Sequence, residues 1–332
     1  MSGLTRRELL TTAACTILGA STLTRAEAAT ASEILRVIAF PGGFNLPLWV
    51  AQEKGLFAAR GLTVQLTPTP SSVFQLTHLI TGEFDIAMTA IDNVIAYDAG
   101  EGEAAVPGRP DLFAFMGGDN GFLRLIVKPE IQTYADLRGQ ALSVDAVSTG
   151  YAFVLRKMLE INGLGPNDYA LVPAGGVLQR WQALVAGTHA GTLLVTPFEV
   201  LARQRGLRLL GNAIDVLHRY QGVVGAARRS WAASHRDQLV RFIRAYRDAL
   251  LWLYTPENRA EGIQILARNA NFPPELAPQA FEILVDPFNG FAPAAAPDFE
   301  GLRMVLALRN QYAAHRVPDN PLAYVDLRYY AA

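Results

Sequence analysis

Two stretches decide how this chain folds, "LITGEFDIAMTAIDNVIA" (Leu79–Ala96) and "LVAGTHAGTLLVTPFEVLA" (Leu184–Ala202). Each ends an apolar helix on a glycine, passes three residues, and enters a short apolar strand. Each then meets a small polar residue and starts a new helix. The same strand-to-helix edge is therefore written twice, about a hundred residues apart.

Working outward, "EILRVIAF" (Glu33–Phe40) reads as a buried strand ending in the turn "PGGFN" (Pro41–Asn45). A helix follows, with the pairs Trp49/Leu56 and Val50/Phe57 suggesting one packed face. "LTVQLTPTP" is a second strand, and Ser71 or Ser72 is placed to cap the next helix. "FDIAMTA" is the third, with Asp92 as a cap candidate for the helix beyond it. Alternating strands and helices predict an α/β layer with a mostly parallel sheet. The pattern restarts at "YADLRGQALSVDAVSTGYAFVL", with a helix expected from near Thr149, and continues through "YALVPAGG" and "TLLVTP". "QGVVGAAR" (Gln221–Arg228) reads as a return strand. From Trp231 long helices dominate. Leu239, Phe242, Ile243, Tyr246, Leu250 and Leu253 form one apolar stripe, and Thr255-Pro256 is expected to open the following helix.

The repetition thus predicts two similar α/β lobes. The chain enters the first, crosses to the second, and returns to finish the first: residues 32–121 and 226–332 in one lobe, 122–225 in the other. Open α/β sheets bind ligands beyond the carboxyl ends of their strands, so two such edges facing each other make a cleft.

Composition excludes several function classes. The 332 residues carry 29 Lys+Arg against 30 Asp+Glu, with no long basic run. A nucleic-acid partner is not expected, because phosphate binding needs a concentrated cationic face. Cys15 is the only cysteine, which rules out an internal disulfide and any multi-thiolate metal site. The histidines at 78, 189, 218, 235 and 315 have no metal-binding spacing, so neither metal nor cofactor is expected. At the N-terminus, "TRRELL" precedes the apolar run "LLTTAACTILGASTL", and "AEA" (Ala26–Ala28) offers small residues for cleavage. Residues 1–28 therefore read as a signal peptide of the twin-arginine type, and the mature protein is expected in a bacterial periplasm.

These features together resemble the periplasmic solute-binding proteins of ABC importers, in the branch that binds taurine, alkanesulfonates, nitrate and thiamine pyrimidines. The likeness rests on "PLWVAQEKGLFAARGLTVQL", "LITGEFDIAMTA", "ADLRGQALSVDAVSTGYAFVLRKMLEINGLGPND" and "LQRWQALVAGTHAGTLLVTP". In the last of these, Ala190 and Gly191 replace the usual Asp and Ala. The resemblance implies the type II two-lobed fold, hinge closure on a small-molecule ligand, a membrane permease partner and action as a monomer. Two rival readings accompany it. One is a receptor-docking sensor of the same fold. The other is an enzyme similar to the thiamine-pyrimidine synthases, whose cysteine-rich motif this chain lacks.

Candidate ligand-binding residues follow from strand-end positions. In the first lobe they are Phe40, Gly43, Phe44 and Asn45 on the first turn, then Ser71 and Ser72, then Thr89, Asp92 and Asn93, with Asp119 at the crossover. In the second they are Thr149, Gly150 and Tyr151, then Gly176, Val177 and Arg180, then Pro197 and Phe198. Each has a plainer reading beside it. Gly43 would serve a turn, Ser71 and Asp92 would cap helices, Asp119 would stiffen a turn, and Arg180 would be an exposed helix arginine. Phe198 is expected to face Phe44 across the cleft. The aromatic character of this set predicts a small organic ligand (sulfonate, carboxylate or pyrimidine-like) rather than bare nitrate.

Overall fold

Ten strands build two five-stranded sheets in the computed structural model, which describes residues 33–332. The signal-peptide reading of residues 1–28, with Cys15, falls outside the described residues. The strands are β1 (Glu33–Ala39), β2 (Leu62–Pro68), β3 (Ile86–Ala90), β4 (Leu112–Gly117), β5 (Arg124–Val127), β6 (Gln140–Val144), β7 (Tyr169–Pro173), β8 (Gly191–Leu194), β9 (Arg208–Asn212) and β10 (Val223–Arg228). One sheet has the order β2-β1-β3-β10-β4 and the other β7-β6-β8-β5-β9.

The two orders are the same pattern. β1 pairs in parallel with β2 and β3, Val37 standing opposite both Leu66 and Ile86. β6 pairs likewise with β7 and β8, Leu142 opposite Leu171 and Gly191. In each sheet the fourth strand is antiparallel to both neighbours, β10 in the first and β5 in the second. Each of these is the first strand after a crossing between sheets. Each carries a register shift, at Gly225/Ala226 and at Leu125/Ile126. The mostly parallel, two-lobed α/β fold predicted from the repeated edge is the one observed.

Burial follows the sequence pattern. The β3 and β8 segments are apolar and small enough to be covered on both faces, as parallel strands flanked by helices require. Ala190 and Gly191 make an ordinary helix-to-strand entry: the Ala190 N–H donates to the Ala141 carbonyl, and a side chain at 191 would press on Val127. The stripe on the helix Arg236–Tyr254 is buried along its length, Leu239, Phe242 and Leu250 completely.

Three local expectations are corrected. The first helix ends at Glu53, before Leu56 and Phe57, because Gly55 turns the chain through a left-handed conformation (φ +67°). Thr255 holds the N-cap position and Pro256 the first position of a 3-10 turn, Pro256–Asn258, that leads into the helix Arg259–Asn269, but the Thr255 hydroxyl does not cap it and donates back to the Leu251 carbonyl. Asp92 does not cap the helix Ile91–Asp98, whose N-cap position is Ala90.

Candidate functional site

The carboxyl ends of the two sheets meet. The Gly43 N–H donates to the Thr196 carbonyl (2.8 Å), and the Gly176 N–H donates to the Pro70 carbonyl (2.8 Å). The Ser72 N–H, at the open end of the helix Ser72–Thr81, donates to Asp145 Oδ2 (3.0 Å). Each bond joins a loop of the first sheet to a loop of the second. Glycine is needed at 176 because an added Cβ would sit 2.9 Å from both the Phe40 ring and the Pro70 carbonyl oxygen.

Between these contacts lies a cavity lined from both sides. The first sheet and its crossover supply Phe40, Phe44, Asn93 and Asp119, and the second supplies Asp145, Thr149, Gly150, Tyr151, Val177 and Arg180. The unfilled space, mouth included, is about 590 Å³, of which about 50 Å³ admits the centre of a water molecule. At ~10–15 Å³ per water centre, that is room for about three to five waters, or one small ring with short substituents.

The polar groups of the cavity are held by the fold. Asp119 sits on the first crossover and ties it to the second. Its Oδ1 accepts from the N–H groups of Gly121 (2.8 Å) and Val223 (3.0 Å), and its backbone carbonyl accepts from Gly222. Asp119 therefore stiffens the turn and also lines the cavity. Burial pushes its carboxyl up to about 7, against the pull of those two N–H groups. Arg180, three residues into the helix Val177–Val185, is buried rather than exposed. Its Nη1 donates to the Leu193 carbonyl (2.7 Å) while its Nε has no partner, and loss of hydration lowers its pKa. The Tyr151 hydroxyl is pushed up by burial and by the Asp119 charge. Asn93 is braced by a hydrogen bond from its Nδ2 to Thr89 Oγ1 (2.9 Å).

Other predicted residues lie around the cavity rather than on it. Thr89 is completely buried behind Asn93. Ser71 is the N-cap of the helix Ser72–Thr81, its hydroxyl accepting from the Phe74 N–H, and Ser72 contributes its backbone to Asp145. Asn45 donates to the Phe40 carbonyl (2.7 Å) and fixes the first turn. Pro197 and Phe198 line a neighbouring hollow with Asn45 and Trp49, and the Phe198 ring packs on Trp181 at 6.3 Å instead of facing Phe44 across the cleft. Asp92 is turned away from the cavity. Its carboxylate receives Arg309 Nε (2.7 Å) and Nη2 (2.6 Å) from the helix Phe299–Tyr312, both partners being fully buried.

Two features escaped sequence reasoning. Asp145 is the first residue after β6, the place Phe40 holds after β1, and that equivalence was available to find it. The Arg309 cluster had no local signal. Arg309 also meets Glu101 Oε2 (2.8 Å) and the Ser148 carbonyl (3.1 Å), and Ser148 in turn donates to Glu103, so the loop before Thr149 is clasped by the first lobe. Among the described residues no group of three His, Cys, Asp or Glu side chains is placed to hold a metal ion.

A fold of paired sheets closing on one cavity is that of the periplasmic binding proteins, and comparison with known proteins agrees. The family described as NMT1/THI5 like matches residues 45–259, and the chain belongs to that family. Among solved structures it is similar to the alkanesulfonate-binding protein SsuA from Xanthomonas axonopodis pv. citri bound to MOPS, at 18% identity and a TM-score of 0.69, covering 88% of this chain and 98% of that one. It is similar also to the periplasmic nitrate-binding protein NrtA from Synechocystis PCC 6803, at 12% identity and a TM-score of 0.74, covering 90% and 87%. A third is the ligand-binding component of an ABC-type import system from Staphylococcus aureus with zinc bound, at 13% identity and a TM-score of 0.74, covering 90% and 98%. No curated protein matches.

Proposed function

We infer that the protein is the solute-binding subunit of an ABC importer, a binding protein and not an enzyme. In this reading it captures a small organic ligand (sulfonate, carboxylate or pyrimidine-like) between its two lobes. It then presents the closed form to an inner-membrane permease. It works as a monomer in the periplasm, where residues 1–28 direct it by the twin-arginine route. The observation that carries the reading is the cavity walled by strand ends of both sheets, with Phe40 and Phe44 on one side and Thr149, Tyr151 and Arg180 on the other. Contacts to both walls would stabilise the closed arrangement, so binding energy shifts a hinge equilibrium and no covalent step is needed. Family membership and three solved binding proteins of the same fold support it.

Small-angle scattering of the mature protein, free and with ligands selected by thermal shift, tests this. Compaction on binding is expected. A stabilising ligand that leaves the radius of gyration unchanged counts against hinge closure, and turnover of that ligand counts against the binding-protein reading.

A further inference from the structure

The cavity contains two opposite charges that feel each other through space but make no direct ion pair. Asp145 is fixed through Oδ2 by the Ser72 N–H, and its Oδ1 is buried without a hydrogen-bond partner. Arg180 is fixed through Nη1 by the Leu193 carbonyl, and its Nε is likewise buried without one. Arg180 is almost wholly inaccessible, so its charge has given up hydration without gaining a carboxylate in direct contact. A buried charge in that condition is costly unless something completes its bonding. Asp119 adds a second carboxyl to the lining, while Phe40, Phe44 and Tyr151 make the rest aromatic.

A bare anion would satisfy Arg180 but face two carboxyls, and a bare cation would do the reverse. A flat ligand with one end of each sign satisfies both and leaves its ring against the aromatic walls. We propose that the cavity selects a small aromatic or heteroaromatic zwitterion, its carboxylate-like end on Arg180 and its protonated amine or amidine end on Asp145. This rests on the solute-capture reading above and narrows its ligand. One ring with two short substituents also matches the space available.

The test is titration calorimetry on the mature protein with 4-(aminomethyl)benzoate, benzoate, benzylamine, taurine and a longer alkanesulfonate. The two-ended aromatic is expected to bind at least tenfold tighter than either one-ended analogue. Asp145→Asn should abolish the advantage of 4-(aminomethyl)benzoate over benzoate, bringing the two affinities within about twofold of each other. Arg180→Gln should reduce it to the level of benzylamine, and Arg180→Lys should keep part of the difference. Unfolding of each ligand-free variant separates loss of a contact from loss of the fold. Benzoate binding as tightly as 4-(aminomethyl)benzoate overturns the proposal, as does binding of the sulfonates alone, and both leave solute capture standing. Silence of every compound, with no ligand carried by protein from its own periplasm, overturns both.

Discussion

Replacing Arg309 by Met should be among the most damaging single changes outside the cavity, and its size can be worked from the contacts. The guanidinium is fully buried, holds both oxygens of Asp92, reaches Glu101, and stacks over the Phe153 ring at 5.2 Å. Methionine keeps much of the stem volume but leaves two buried carboxylates facing each other without a cation. Breaking a buried pair from one side costs about 3–5 kcal/mol. At about 2 °C per kcal/mol for a chain of this size, the midpoint should fall by roughly 6–10 °C. Asp92→Asn in the same chain should recover part of the loss, because it removes the uncompensated charge. Urea unfolding of the four members of that cycle at pH 7.5 is the assay. A loss below about 1 kcal/mol for Arg309→Met, with no recovery in the double mutant, would refute the account of the cluster as a coupled buried network.

Asp119→Asn should flatten a pH dependence. The folded carboxyl titrates at about 7, above its unfolded value, so the folded state binds the extra proton and wild-type stability declines between about pH 4 and pH 7 before levelling off. The swing is at most roughly 4 kcal/mol, and urea midpoints for wild type and mutant at pH 4.5 and 8 will measure it. Gly176→Ala should leave the lobes folded, because its backbone (φ −62°) suits any residue, but the new Cβ would collide with Phe40 and the Pro70 carbonyl where the sheets meet. Unchanged unfolding together with at least tenfold weaker ligand binding and lost compaction is expected; an unaltered affinity would show that this contact is not part of closure. Ser71→Ala removes the hydroxyl that caps the helix Ser72–Thr81 and should cost about 1 kcal/mol in chemical unfolding.

Much of this architecture is legible locally. A glycine, three residues, an apolar strand and a polar helix start appear twice, and the two sheets repeat one strand order because both copies obey that local grammar. Thr149 and Gly150 could be placed at a helix start because β6 ends five residues before Thr149, as β1 ends just before Phe40. Other features depend on partners far along the chain. Asp92 has the position of a cap or a cleft residue, and only a partner 217 residues away makes it neither. Arg180 looks like a surface arginine on its helix, and its burial follows from Thr192 and Leu193 on β8 passing beneath it.

The same distinction bears on why a chain that writes one edge twice lines its cavity unequally from the two sides. Each edge supplies strand ends and helix starts of the same geometry, which sets where a ligand would lie but not its chemistry. Chemistry comes from the few side chains substituted on that shared frame: phenylalanine at 40 where the second lobe has aspartate at 145, and asparagine at 93 with arginine at 180 across the cavity. Neither lobe alone encloses the unpaired Asp145 oxygen, because the Ser72 N–H that fixes its neighbour comes from the other sheet. In the proposed function, specificity is therefore a property of apposition. A change that prevents the lobes from meeting should weaken all ligands together, whereas a change at Asp145 or Arg180 should reorder them.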